Sequence, residues 1–242
     1  MKKNLTIICI ATVFMLAGVV NSQAQRESRV GLKGGAGLYS STVSISFSGL
    51  SVEETSGSKI GLAAGIFIEK PFSELISGQV EALYIQKGGK ESASGSDIDL
   101  DVEVGDGKLT LSYIDVPALL KVHIPIKSEE VSPFVYGGGF VGYLLDATAS
   151  TDDQSIDALD IKDLLKDLNY GLVLGAGVNF GSISLDFRYD MGVANILDTD
   201  SELFEELENE FDGEEGFEDF NELLEGIEIS TSGFSFTVGY AF

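Results

Sequence analysis

The last ten residues of the chain, Gly233 to Phe242, alternate between large apolar and small or polar residues. Successive side chains of a β-strand point to opposite faces, so the alternation predicts a strand with one aromatic and one polar face. The outward apolar set, aromatic except for one valine, is Phe234, Phe236, Val238, Tyr240 and Phe242. Lipid covers such a face in an outer-membrane β-barrel. The terminal Phe suits the signal by which barrel-assembly machinery recognises its substrates.

Seven more segments with this period of two precede the last one. Together the eight cover residues 29–45, 58–70, 75–88, 109–125, 133–146, 169–180, 183–197 and 228–242. The first, third, fifth and seventh connections are long and polar, whereas the second, fourth and sixth are short. This alternation is typical of transmembrane barrels, in which the short turns face the periplasm. The pattern predicts an all-β fold, an eight-stranded antiparallel up-and-down transmembrane β-barrel with short periplasmic turns and long acidic extracellular loops.

Charged side chains repeatedly fall on the strand face opposite the aliphatic ones. In the seventh segment Ile183 and Leu185 alternate with Asp186 and Arg188. A soluble lipocalin-like barrel would show the reverse arrangement, which makes it the weaker alternative. The inward charges predicted in this way are Glu81, Asp115, Lys121, Asp186, Arg188 and Asp190. An eight-stranded barrel has room only for its own side chains, so we expect a structural charge network across the lumen, with a gated ion path as the alternative.

The N-terminus carries the features of a cleaved export signal. Two lysines precede an apolar run of roughly 14 residues, and Asn21 to Ala24 provide a small-x-small cleavage site. The run is short for a transmembrane anchor, which needs about 20 apolar residues. The single cysteine, Cys9, lies within the run, which argues against a lipoprotein anchor. We therefore predict a signal peptide over residues 1–24 and one outer-membrane β-barrel domain over residues 25–242.

Composition argues against several classes of function. The chain has 39 acidic and 15 basic residues, a net charge of −24 at pH 7. Nucleic acid is therefore not an expected partner, because phosphate contacts require Lys and Arg. The single histidine, His123, lies near the periplasmic end of its segment, and no Ser or Cys occupies a recognisable nucleophile motif. We predict that the protein is not an enzyme and has no catalytic, cofactor-binding or metal-ligating residues.

The fourth long connection is strongly acidic. Residues 198–228 contain fifteen Asp and Glu, and no Lys or Arg follows Arg188. Apolar residues recur in this connection at helical spacing, which predicts two short acidic helices, and residues 156–168 show a similar stripe. We interpret both segments as solvated loops that pack over the barrel mouth. Divalent-cation binding is the alternative, although the connection lacks the Asp/Asn ladder of an EF-hand.

Five short motifs lie within the predicted strands. The longest is YIDVPALLK at residues 113–121, and the others are EALYIQKG at 81–88, PFVYGGG at 133–139, GLVLGAG at 171–177, and Arg188-Tyr189 with Gly192 and Asn195. Together they resemble the PorT-like outer-membrane β-barrel family of Gram-negative bacteria, from about Val30 to Phe242 without the long loops. The resemblance implies an eight-stranded barrel in a family usually without an assigned activity. Some of its relatives are tied to the secretion of other proteins.

Three functions remain open from the sequence. The leading hypothesis is a non-enzymatic integral outer-membrane protein whose acidic surface loops bind a partner or shield the barrel. The second is an accessory subunit of a secretion or envelope-assembly complex, and the third is a narrow channel. The expected partners are outer-membrane lipid, the barrel-assembly machinery through the C-terminal strand, and an envelope or secretion protein.

The acidic connection is expected to respond to ionic strength rather than to a specific cation. Its carboxylates repel one another, and salt screens exposed charges over about 8–10 Å. Sodium and calcium salts should therefore both raise the helical content of residues 198–228, without a stoichiometric endpoint. Circular dichroism of the refolded protein measures this, with a variant carrying a short turn in place of the connection as control. Calorimetry that detects about one or two calcium ions bound at micromolar affinity in about 0.15 M salt would contradict the prediction.

Overall fold

The computed structural model describes residues 27–47, 50–91, 107–127, 130–151, 159–199 and 226–242. Most of these residues belong to strands, with one short 3₁₀-helix at Lys162–Leu164. The strands are β1 (Arg29–Phe47), β2 (Leu50–Thr55), β3 (Gly57–Pro71), β4 (Ile76–Lys87), β5 (Gly89–Glu91), β6 (Gly107–His123), β7 (Val131–Thr151), β8 (Leu159–Asp160), β9 (Leu168–Phe180), β10 (Ile183–Gly192) and β11 (Ile227–Ala241).

The eight long strands close into one antiparallel barrel. In the order β1, β3, β4, β6, β7, β9, β10 and β11, each strand pairs with the next, and β11 pairs with β1. The closing pair extends from Gly31 opposite Ala241 to Ile45 opposite Ile227. Closure provides hydrogen-bond partners for the backbone on both sides of each long strand. The predicted fold class, an all-β eight-stranded antiparallel up-and-down barrel, is confirmed.

The short connections lie together at one end of the barrel. Residues 72–75 join β3 to β4, residues 124–130 join β6 to β7, and Gly181–Ser182 joins β9 to β10. Gly181 has a φ of +57°, a left-handed value that glycine adopts without steric penalty and that tight hairpin turns require. Because short turns of transmembrane barrels face the periplasm, this end is the periplasmic end.

The predicted segments match the eight long strands, with clear differences at two ends. The seventh was predicted to continue to residue 197, but β10 ends at Gly192. The chain leaves the sheet there, because Ala194 N–H donates to the Tyr170 carbonyl and Ile196 N–H donates to the Ile229 carbonyl. In contrast, β7 continues beyond the predicted end at 146 to Thr151, where it still pairs with β6.

Regular pairing continues into the long connections. β2 extends β1 into a hairpin, β5 pairs with both β3 and β6, and β8 pairs with β7. The apolar stripe noted over residues 156–168 does not form an α-helix in its described part, in which β8, the 3₁₀-helix and a bridge between Leu165 and Leu197 follow one another. The two acidic helices expected within residues 198–228 fall mainly on residues 200–225, outside the described residues.

The outward face of the barrel carries an apolar belt. On β3 the belt consists of Ile60, Leu62, Ile66 and Ile68, with exposed fractions of 51–68%. From the first to the last of these the strand extends ~26 Å, which at a strand tilt of about 40° covers ~20 Å of an apolar band that is about 25 Å tall on transmembrane barrels. The lipocalin-like alternative, with polar residues outside, is therefore wrong. No helix in the described part of the chain is long and apolar enough to cross a membrane.

Candidate functional site

The inward face of the barrel forms a lumen lined by charged side chains. Each long strand turns every second residue inward, so the charges on that face are removed from bulk water. Nine charged residues of the described chain are at most 6% exposed and take part in ion pairs: Lys33, Glu69, Glu81, Lys87, Asp115, Lys121, Asp186, Arg188 and Asp190. All six residues of the predicted lumen set lie among these nine. We call the nine residues the lumen network.

Glu81 on β4 lies at the centre of the lumen network. One carboxylate oxygen, Oε1, lies 2.6 Å from Lys33 Nζ of β1, and the other, Oε2, lies 2.8 Å from Arg188 Nη1 of β10. Lys33 also contacts Asp186 Oδ2 at 3.0 Å, and Arg188 Nε donates to Asp190 Oδ1 at 3.1 Å. No two of the strands β1, β4 and β10 are neighbours in the sheet. The pairs of Glu81 with Lys33 and Arg188, and of Lys33 with Asp186, therefore tie strands together across the lumen, whereas the Arg188–Asp190 pair lies within β10.

A chain of polar contacts extends from Glu81 towards the periplasmic end. The Gln79 amide donates to Glu81 Oε1, and Lys121 Nζ donates to Gln79 Oε1 at 2.9 Å. Lys121 also pairs with Glu69 Oε2 at 3.0 Å, and His123 Nε2 lies 3.2 Å from the second oxygen of Glu69. The contacts are thus continuous from His123, the last residue of β6, to the middle of the barrel.

The outer half of the lumen ends in an apolar layer. Lys87 pairs with Asp115 at 2.7 Å and lies over the Phe140 ring, with its Nζ 4.0 Å from the ring centroid. Beyond this pair a buried cluster crosses the lumen: Tyr39, Ala63, Ile85, Leu111, Tyr113, Leu144, Ala147, Leu165 and Ile196. Leu165 and Ile196 come from the long connections rather than from the long strands. We call this cluster the apolar plug, because it separates the charges from the extracellular end.

Three members of the lumen network were not singled out from the sequence: Lys33, Glu69 and Lys87. Each occupies an inward position of a predicted strand, so the same period-two alternation could have identified it. The alternation does not predict which charges meet. Lys121, for example, contacts Glu69 and Gln79, whereas Glu81 pairs with Lys33 and Arg188. The pairing depends on how far each strand is shifted against its neighbours around the closed barrel.

The single histidine belongs to a buried hydrogen-bonded unit. Ser77 Oγ donates to Glu69 Oε1 at 2.7 Å and lies 2.9 Å from His123 Nε2. Ser77 is only 1% exposed, so its hydroxyl is not accessible to a substrate from solvent. In the part of the chain that the structure describes, no group of three or more His, Cys, Asp or Glu residues is placed to hold a metal ion.

The C-terminal residues proposed as an assembly signal lie on the outward face of β11 and at the residue that follows it. Phe234, Phe236, Val238, Tyr240 and Phe242 have exposed fractions of 45–79%. Phe234 stacks against Phe187 of β10, with ring centroids 5.6 Å apart. Aromatic pairs of this kind add to the apolar surface that the barrel presents to lipid. Recognition of these residues by the assembly machinery stays a prediction.

Comparison with known proteins gives one family and several similar structures. The family described as "Outer membrane protein beta-barrel domain" matches residues 21–198. Ail, the attachment invasion locus protein of Yersinia pestis, is 14% identical, with 90% of this chain and 100% of that chain covered and a TM-score of 0.37. OprG of Pseudomonas aeruginosa is 10% identical, with 92% of this chain and 99% of that chain covered and a TM-score of 0.46. Neisserial surface protein A is 11% identical, with 90% of this chain and 100% of that chain covered and a TM-score of 0.39. No protein with a curated description matches the chain.

Removal of the Arg188 guanidinium is expected to destabilise the barrel strongly. The Arg188→Ala substitution would leave Glu81 and Asp190 without this partner, and breaking a buried pair costs about 3–5 kcal/mol. The measurement is the denaturant midpoint for unfolding of the refolded barrel. Arg29→Ala is the matched control, because the Arg29 side chain donates to the Gly181 carbonyl at an exposed site, and loss of that contact should cost under about 1 kcal/mol. Equal midpoints for the two variants would show that the lumen network does not stabilise the fold.

Proposed function

The chain belongs to the outer membrane protein β-barrel domain family and lies in the cell outer membrane, and from this premise we propose that it is a non-enzymatic surface protein whose acidic loops bind a partner or shield the barrel. The filled lumen is the observation that carries this proposal. Nine paired charges occupy its middle and an apolar plug occupies its outer half. A filled lumen favours functions at the two ends of the barrel over transport through it.

The charge of the extracellular connections supports a surface role. Residues 198–228 alone contain fifteen Asp and Glu, and no basic residue follows Arg188. The lumen network, in contrast, contains four basic and five acidic residues, so the excess negative charge of the chain lies outside it. Surface carboxylates at this density attract cations and basic partners and repel acidic ones. Both binding and shielding follow from that one property.

A second candidate function is an accessory subunit of a secretion or envelope-assembly complex. The motif YIDVPALLK at residues 113–121 and the four other motifs that resemble the PorT-like family support this candidate. Apart from Gly88 and Asn195, the motif residues lie on strands, where they specify the barrel, so they do not identify a contact surface. The surface role and the accessory role therefore have to be separated by experiment.

Crosslinking in intact cells separates these two functions. After mild crosslinking, the full chain is purified together with any attached protein, and a variant with a short turn in place of residues 200–224 is treated in parallel. The surface role predicts no reproducible envelope partner. The accessory role predicts the same envelope proteins in each repeat, and their loss from the loop variant would locate the contact. Reproducible envelope partners of the full chain or of the loop variant would overturn the surface role.

The narrow-channel alternative predicts steady conductance, which the filled lumen disfavours. Open aqueous channels are found in barrels of about 16 strands or more, whereas eight strands enclose only side chains. Planar-bilayer recordings of the refolded protein should therefore show silence or small irregular events. A double variant, Leu165→Ala with Ile196→Ala, removes part of the apolar plug and serves as the comparison. Steady nanosiemens-scale steps from the unmodified protein would contradict the surface proposal.

A further inference from the structure

One buried charge in the described part of the chain has no ion-pair partner. Lys59, near the extracellular end of β3, is only 5% exposed. Each of the nine residues of the lumen network lies within 3.1 Å of an opposite charge, and His123 contacts Glu69 at 3.2 Å. A buried ammonium without a partner costs free energy, because it has lost its hydration. Lys59 therefore indicates a place where an anion would be stabilised.

Two further lysines lie beside Lys59. Lys90 of β5 pairs directly with Lys108 of β6, and it also stands opposite Gly57, two residues before Lys59 on β3. Both lysines are exposed, and their positive charges act on the ammonium group of Lys59. No carboxylate among the described residues forms an ion pair with any of the three. Like charges directly opposite each other destabilise a sheet, so these three residues, the lysine trio, share a need for negative charge.

The lysine trio is accessible at the outer border of the apolar belt. Lys59 directly precedes Ile60, the outermost residue of the belt on β3. In the described structure the enclosed side-chain atoms without a hydrogen-bond partner do not include Lys59 Nζ, so the exposed part of this side chain includes its ammonium. β1 on one side, and β7 and β9 on the other, separate the strands of the trio from β10 and β11, which the acidic connection joins. An anion can therefore approach the trio from the outer surface.

We propose that the lysine trio binds a phosphate group, supplied either by the headgroup of an outer-leaflet lipid or by a soluble phosphorylated molecule. A phosphate monoester carries a charge of about −1.5 to −2 and three strong acceptor oxygens, so each oxygen can accept from a different ammonium. A carboxylate has a single charge and only two oxygens. Lys59 is held by its burial, whereas Lys90 and Lys108 have flexible stems that can follow the ligand. This site is separate from the acidic connections that are proposed to bind a partner.

The experiment is a titration of the refolded protein in micelles of a maltoside detergent, followed by the backbone amide resonances of Lys59 and Lys90. The soluble probe is inorganic phosphate, with acetate at equal ionic strength as its control. The lipid probe is phosphatidic acid added to the micelles, with diacylglycerol as its control. We expect saturable shifts with the phosphate probes and none with the controls, and the tighter of the two phosphate probes identifies the source. Equal shifts with phosphate and acetate, or no saturation with either phosphate probe, would overturn the proposal.

Two sets of variants test the assigned lysines. The double variant Lys90→Gln with Lys108→Gln should weaken phosphate binding about fivefold per lysine, and both positions are exposed, so the barrel should still fold. Phosphate should raise the denaturant midpoint of the unmodified protein but not that of Lys59→Met, because a ligand stabilises only the state that binds it. Lys127→Gln is the matched control, because Lys127 is an exposed lysine beyond the other end of the barrel strands. Unchanged affinity in the double variant would refute the site.

The competing occupant is a segment of the chain itself. Residues 92–106 join β5 to β6, lie outside the described residues and contain five Asp and Glu. A variant with these five residues changed to Asn and Gln is titrated with the same phosphate probes. We expect the unmodified protein and this variant both to bind phosphate. Binding that occurs only in the variant would show that the chain's own carboxylates neutralise the lysine trio, and would overturn the proposal.

Discussion

Inside a hydrocarbon layer every backbone N–H and C=O must find its partner within the protein, and the closing pair of β1 and β11 meets this requirement. Once the sheet is closed, each long strand has one face towards lipid and one towards the lumen. The division of side chains between Ile60 or Leu62 outside and Glu69 or Glu81 inside follows directly. A slip of one residue in any strand would exchange the two sets, placing carboxylates in lipid. The register of each strand is therefore fixed, because a shift would cost free energy both on the lipid face and on the lumen face.

The lumen of an eight-stranded barrel is too narrow to hold much water. The charged side chains inside it therefore have to pair with one another, and the lumen network is the result. A buried ion needs several partners to offset its lost hydration. Glu81 of β4 has Lys33 of β1 and Arg188 of β10 as partners from two other strands, in addition to Gln79 of its own strand. Such contacts stabilise the cross-section of the barrel, because they link walls that backbone hydrogen bonds cannot join. One alternating pattern of residues therefore specifies both the strands of the barrel and the lumen network that they enclose.

Most of the fold could be predicted from the sequence because its signal is local. The period of two in segments such as residues 58–70 is set by neighbouring residues, and the alternation of long and short connections supplies the strand order. Two features were not predictable in this way. β10 ends at Gly192 because Ile196 bonds to Ile229, a contact between residues far apart in sequence. The apolar stripe of residues 156–168 resembles that of a helix, but its Leu165 packs into the apolar plug instead.

The candidate site was predictable only in part, for a related physical reason. Inward position follows from alternation, so Asp115, Lys121 and Arg188 could be assigned to the lumen. The identity of each partner depends on the shift between strands, which no local pattern records. Sequence therefore predicts which face a residue occupies better than it predicts its neighbours.

The apolar plug closes the lumen at one end only. Polar contacts extend inwards from the periplasmic end and stop at the plug, before the extracellular end. Most of its members, including Tyr39 and Leu144, belong to the strands themselves. We therefore expect changes at the tips of the long connections to leave most of the apolar plug in place. This separation frees the exposed loops to diversify at little risk to the envelope.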